Sequence, residues 1–104
     1  MIVAISISPM GAESASTDGG VSDAVTKAVD VIRNSGLPNE TNAMFTNIEG
    51  EWDEVMPVVK EAVEAVGEHA PRVSFVLKAD YRPGRAGELA GKVERVERKL
   101  TDLR

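Results

Sequence analysis

The run MFTNIEGEWDEVM, residues 44 to 56, reads as a strand, a turn and the first turns of a helix. From Met44 to Glu49 the side chains alternate. Met44, Thr46 and Ile48 share one face; Phe45, Asn47 and Glu49 share the other. Gly50 breaks the strand. A helix is expected from about Glu51 to Glu68, and its first turn carries Glu51, Asp53, Glu54 and the single tryptophan, Trp52. Carboxylates suit that position because the N-terminal end of a helix dipole is positive. Val55, Val59, Ala62, Val63 and Val66 recur at helical spacing and form the buried stripe. Pro57 falls near the first turn, where a missing N–H costs least.

Working outward toward residue 1, Ile2 to Ser8 alternates apolar Val3, Ile5 and Ile7 with small or polar Ala4, Ser6 and Ser8. This is a period-2 strand, expected to stop at Pro9 and Gly11. Ala12 to Gly20 is a small-residue loop: either a solvated connector or, through Gly19 and Gly20, a place where backbone approaches a ligand. Val21, Val25, Ala28, Val29 and Ile32 mark a helix over about 21–35, with Gly36 as its left-handed stop. Leu37 to Thr41 contains Pro38 and reads as an edge strand, joined to Met44 by a turn at Asn42-Ala43.

Outward toward residue 104, Ala70-Pro71 ends the acidic-start helix, and Arg72 to Tyr81 alternates again. Arg82-Pro83-Gly84-Arg85 is a turn. The last helix spans about Ala86 to Leu103. Leu89, Val93, Val96, Leu100 and Leu103 form a narrow heptad-like seam, suited to one neighbouring surface in this chain or in another subunit.

The order is β-α-β-β-α-β-α. Two split β-α-β units give an α+β, ferredoxin-like β-α-β-β-α-β sandwich with an extra C-terminal helix, a single domain over residues 1–104. Right-handed crossovers put both main helices on one sheet face. The other face then holds Ala4, Ser6, Ser8, Asn47, Glu49, Ser74, Val76 and Lys78, with Ser6, Ser8, Glu49 and Lys78 expected to converge. So mixed a face suits stacking against another sheet, so a homo-oligomer is expected, a dimer or a tetramer.

Composition narrows the function. Of 104 residues, 42% are hydrophobic and 28% charged, which fits one globular domain. A net charge of −5 argues against nucleic acid as a partner, since phosphate binding needs a surplus of Lys and Arg. The absence of cysteine excludes thiolate catalysis and disulfides, and one histidine, His69, cannot build a His-rich metal site. No apolar run approaches the ~20 residues of a membrane helix, and the opening residues carry no basic n-region, so no membrane and a cytoplasmic location are expected. With no activated nucleophile, P-loop or dinucleotide fingerprint, the chain reads as a binding protein without a cofactor rather than an enzyme.

Three stretches carry a resemblance. SPMG at 8–11, TNIEGEWDEVM at 46–56 and KADYR at 78–82 resemble the thiamine-binding protein family, the YkoF-like group, in the same order of elements from Ile2 to about Leu103. The resemblance implies a ferredoxin-like fold, dimers that assemble into tetramers, no catalysis, and a small-molecule ligand: thiamine or its hydroxymethylpyrimidine moiety. Thr46, Glu49, Gly50 and Trp52 match the motif, as does Arg82 at the exit of the last strand. Phe45 replaces a small residue and would narrow or reshape a pocket; the loop at 12–20 is long and rich in small residues.

The residue chemistry suits such a ligand. An aminopyrimidine presents ring-nitrogen acceptors and an amine donor, which hydroxyls and a carboxylate can meet; a thiazolium favours acidic and aromatic neighbours. The candidate ligand-binding residues are therefore Ser6, Ser8, Thr46, Glu49, Trp52 and Arg82. Each has a plainer reading. Glu49, with Glu51 and Asp53, suits the cap of the second helix; Trp52 suits packing, and Thr46 an ordinary strand position. Ser6 and Ser8 suit close sheet approach, and Arg82 an ion pair. The competing functions are a regulatory module for another metabolite and a purely structural oligomerisation domain.

Overall fold

Alternation at the start of the chain carries further than expected. In the computed structural model, which describes residues 1–11 and 22–104, β1 spans Ile2–Met10 and contains Pro9. The loop expected at 12–20 lies outside the described residues. The remaining elements are α1 (Ser22–Arg33), β2 (Asn39–Thr41), β3 (Thr46–Glu49), α2 (Trp52–Gly67), β4 (Arg72–Asp80) and α3 (Glu88–Asp102). The sheet is fully antiparallel in the order β2-β3-β1-β4, the ferredoxin-like arrangement.

Odd residues of β1 point to the helices. Val3, Ile5 and Ile7 are buried with Ile48 of β3, with Ala24, Ala28 and Ile32 of α1, and with Val55, Val59, Ala62 and Val66 of α2. Even residues, from Ile2 to Ser8, face the other side. There α3 crosses one end of the sheet, with Leu89 and Val93 facing Ile2 and Ala4. Beyond that crossing the helix leaves its apolar seam open: Val93 and Val96 are more than half exposed and Leu103 is 81% exposed. The radius of gyration, 15.7 Å, exceeds the ~13 Å of a compact domain of this length, and the molecule measures 51 × 33 × 20 Å.

Local chemistry trims several expected boundaries. Gly36 adopts φ 81° after α1, the left-handed stop. β2 starts at Asn39, not Leu37; the carbonyl of Pro38 instead accepts from the Glu49 N–H at 2.9 Å. β3 starts at Thr46 because the Asn42 side chain captures the N–H groups of Met44 and Phe45, both at 2.9 Å. That Asx turn holds the two residues out of the strand. Pro57 is the sixth residue of α2, which begins at Trp52, so its missing N–H falls past the orphan donors of the first turn rather than among them. At Gly50 a Cβ would lie 3.1 Å from Val55 Cγ2 and 3.4 Å from Leu37 Cδ1, so any side chain at this strand-to-helix turn would push those neighbours aside by a few tenths of an ångström.

Candidate ligand-binding cleft

The site follows from unequal strand lengths. β1 has nine residues and pairs with β4 along all of them, from Ile2↔Asp80 to Met10↔Arg72. β3 has four residues and covers β1 only from Ile2↔Glu49 to Ile5↔Thr46. Past Ile5, no strand among the described residues pairs with the β3-side edge of β1.

Which backbone groups that edge presents is fixed by alternation. Met1 and Gly50, one step beyond the ladder, exchange both backbone bonds: Met1 N donates to Gly50 O at 2.9 Å and Gly50 N to Met1 O at 3.1 Å. In an antiparallel pair such residues alternate with non-bonded ones. Val3, Ile5, Ile7 and Pro9 therefore turn their backbone polar groups toward the β3 side. Pro9 has no N–H to lose there, which is why it is tolerated inside a central strand. Ile7 keeps both its N–H and its C=O, with no strand partner opposite them among the described residues.

A cleft of about 210 Å³ lies along this edge. Ile5 to Ser8 form one wall and Thr41 to Thr46, around the Asn42 turn, the other. Val25, Ala28, Val29 and Ile32 of α1 make the floor. Val25 and Val29 are only half-buried, so the α1 stripe is wider than core packing alone uses. Thr46 is 7% exposed, and its hydroxyl lies 3.4 Å from that of Thr41. Ser6 is half-buried and Ser8 exposed at the opposite lip. The cleft is smaller than the roughly 300–1,000 Å³ of pockets that enclose a drug-sized ligand and has room for about one substituted ring.

Ser6, Ser8 and Thr46 thus share one cleft; Glu49, Trp52 and Arg82 lie elsewhere. Glu49 shares a sheet face with Ser6 and Ser8, but antiparallel pairing sets it opposite Ile2, so the expected convergence of Ser6, Ser8, Glu49 and Lys78 does not form. Nor does Glu49 cap α2: Glu54 reaches back to the Glu51 N–H at 2.9 Å instead. The Glu49 carboxylate, 5% exposed, accepts from the N–H groups of Glu88 at 2.8 Å and Leu89 at 3.2 Å. It therefore closes the N-terminus of α3, where an anion satisfies orphan donors and meets the helix dipole.

Around that cap the charges are paired. Arg85 donates to Glu88 Oε1 through Nε at 3.1 Å and Nη2 at 2.8 Å, and Arg95 donates to Oε2. Arg95 first and Arg85 second hold the Glu88 carboxyl at about 2, well below the usual carboxylate range. Lys92 pairs with Asp80 and lowers its pKa likewise. Arg82 borders this network beside a void of about 10 Å³, no more than a water's space. Trp52 and Tyr81 are both exposed and meet edge to face, with ring centroids 6.2 Å apart. Among the described residues, no group of His, Cys, Asp and Glu is placed to hold a metal ion, and no helix is long and apolar enough to cross a membrane.

The family model for thiamine-binding proteins matches residues 3–97. The chain belongs to the thiamine-binding protein family. Its relatives include the UPF0045 protein Mb1933 of Mycobacterium bovis, 52% identical over 101 residues that cover 96% of this chain and 94% of that protein. The crystal structure of protein MJ1052 from Methanocaldococcus jannaschii superposes with a TM-score of 0.78 at 33% identity, covering 92% of this chain and 94% of the other. A Thermotoga maritima structure, TM0486, described as a candidate thiamine biosynthesis/salvage protein, gives a TM-score of 0.73 at 29% identity, with 91% and 96% covered. The ferredoxin-like fold and family membership expected from the thiamine-binding motif therefore hold.

Two parts of the cleft, the turn at Asn42-Ala43 and the α1 stripe with Val25 and Val29, were expected as structure but not as parts of a site. The Asn42 side chain that builds the lip had a local signal, an asparagine opening a short turn between strands. The α1 floor had a weaker one, a valine-rich stripe broader than a helix needs against a single sheet.

Proposed function

We propose that this protein binds thiamine, or its hydroxymethylpyrimidine moiety, without catalysis, and that the pyrimidine ring occupies the cleft between β1, α1 and the Asn42 turn. The observation that carries this reading is the meeting of Ser6, Ser8 and Thr46 on one ring-sized cleft. The α1 valines and Phe45 supply apolar contact to the ring, and the Thr46 hydroxyl, on the same sheet face as α1, supplies a partner for a ring nitrogen or the hydroxymethyl group, while Ser6 and Ser8 border the cleft from a strand that turns their side chains to the opposite face. The thiazolium of thiamine, if present, projects outward from the cleft, and the chain's net charge of −5 favours a cationic ligand. Glu49, Trp52 and Arg82 are assigned away from the ring: Glu49 secures α3, and the Trp52–Tyr81 pair and Arg82 flank that junction.

In this reading the protein acts in the cytoplasm as a homo-oligomer. The open sheet face and the exposed α3 seam are the surfaces that favour dimers and their assembly into tetramers. Calorimetric titration with thiamine, hydroxymethylpyrimidine and thiamine phosphates, with the oligomer mass determined on the same sample, tests it. Saturable binding at a fixed stoichiometry is expected, lost or weakened in Thr46→Val. Absence of heat with every member of the series sends the function to another metabolite or to assembly alone.

A further inference from the structure

We propose that the cleft recognises its ring through the open backbone edge of β1, with the Ile7 N–H donating to a ring nitrogen and the Ile7 C=O accepting from an adjacent exocyclic amine. This rests on the ring occupancy proposed above and adds what selects the ring. The argument begins with the ladder. β3 stops opposite Ile5, and alternation turns both polar groups of Ile7 into the space β3 would have filled. Residues Ile5 to Ser8 line the cleft there.

An extended residue presents its N–H and C=O side by side on one edge. A strand would satisfy them with a matching C=O and N–H. A heteroaromatic ring carrying an amine next to a ring nitrogen offers the same pair, acceptor beside donor, in one plane. A ring inserted here therefore completes the sheet by one residue. It takes up backbone groups that burial would otherwise leave costly. The apolar floor from Val25 and Val29 packs on the ring, and the Thr46 hydroxyl, paired only with that of Thr41 among the described residues, retains one further hydrogen-bonding role.

This mode makes a chemical discrimination. A 4-amino ring with an unprotonated N3 matches the edge. The 4-oxo ring, with N3–H, places donor against donor and carbonyl against carbonyl. Replacing the amine by hydrogen loses one bond without creating a clash. Recognition by side-chain hydroxyls alone would not produce this order, because a hydroxyl donates or accepts as required.

The test is calorimetry on the intact protein with 4-amino-5-hydroxymethyl-2-methylpyrimidine, its 4-oxo counterpart and its 4-hydrogen counterpart. The amino ring is expected to bind tightest, the hydrogen ring about ten-fold more weakly, and the oxo ring more weakly still. A second measurement replaces Ile7 by its α-hydroxy acid, which converts the N–H into an ester oxygen and keeps the side chain. Affinity for the amino ring is then expected to fall about ten-fold, with the thermal transition of the free protein still cooperative. Equal binding of the amino and oxo rings, or an ester protein that binds as well as the native one, would overturn backbone recognition while leaving pyrimidine binding in place. Should the ester protein not fold, the ring series on the native protein decides alone. No binding of any amino ring to the native protein would instead remove the proposed function itself.

Discussion

At the Glu49 end of β3 a buried carboxylate accepts from two backbone N–H groups, and the neighbouring Glu88 is gripped by two arginines. At the Thr46 end, three residues or roughly 10 Å along the same strand, a buried hydroxyl has one distant hydroxyl neighbour and faces an open strand edge. Both ends carry the kinds of group that bind polar ligands. At the Glu49 end the protein itself is the ligand, with α3 as the bound element. At the Thr46 end, among the described residues, the hydroxyl has only that of Thr41 and no strand pairs with β1 opposite Ile7. The difference teaches that polar clustering in a sequence locates hydrogen-bonding capacity, and that the fold decides whether the capacity is already spent.

The largest expected effect breaks the Glu49 end. Glu49→Ala leaves the N–H groups of Glu88 and Leu89 without their acceptor in a buried position. Leaving such donors unsatisfied costs about 1–3 kcal/mol. Thermal or urea unfolding should show that loss, while calorimetric affinity for the pyrimidine stays within about two-fold, less than 0.5 kcal/mol. A Glu49→Ala protein of unchanged stability that no longer binds would move the ligand to the α3 junction and reverse the comparison.

Next comes the other end. Thr46→Val removes the buried hydroxyl and keeps the branched shape. About a ten-fold loss of affinity is expected, with stability shifted by no more than about 1 kcal/mol. Asn42→Ala acts one step removed. It deletes the acceptor for Met44 N–H and Phe45 N–H, and so loosens the lip rather than a ligand contact. A smaller loss is expected, about three- to five-fold, with faster dissociation as the lip becomes less ordered. If Asn42→Ala weakens binding more than Thr46→Val, the lip and not the hydroxyl carries the site.

The two ends also differed in how far the sequence exposed them. Period-2 runs at Ile2–Ser8 and Arg72–Tyr81, and valine stripes in two helices, sufficed for the element order and the ferredoxin-like sandwich, because burial patterns are local and repeated. The sheet face of Glu49 was legible from the same alternation. Its position along that face follows from antiparallel pairing, which sends the end of β3 to the start of β1 and away from Ser6 and Ser8. The partner of Glu49 was not legible at all. The donors it serves lie 39 and 40 positions away, and nothing local in Gly87-Glu88-Leu89 names a distant acceptor. The cleft was half legible. Ser6 and Ser8 stand out as hydroxyls on an otherwise apolar or small-residue strand, and Thr46 as the hydroxyl on the apolar face it shares with Met44 and Ile48. The open edge at Ile7 depends on where β3 stops, and that is set by the Asn42 side chain holding Met44 and Phe45 out of the strand.

The smallest expected effect sharpens the comparison through pH. Glu88 carries a carboxyl held at about 2 against an ordinary 4.5, by Arg95 first and Arg85 second. A depressed folded-state pKa means that the folded protein holds the proton less readily than the unfolded chain. The stabilisation is complete above about 4.5, declines as pH falls from there, and is gone once pH passes below about 2. Asp80 beside Lys92 shifts in the same direction and adds to the slope. In Glu88→Gln the arginines remain but the titrating group is gone. The thermal midpoint of the native protein should therefore lie above that of Glu88→Gln at pH 6, with the gap closing between about pH 4.5 and pH 2. Because Glu88 sits on α3 and not on the cleft, the substitution should leave pyrimidine affinity at pH 6 unaltered. A constant gap across that window would mean that the arginines do not hold the Glu88 proton off in solution. The α3 junction would then rest on the Glu49 cap alone, and the contrast between a charge-paired end and an open end would reduce to one carboxylate.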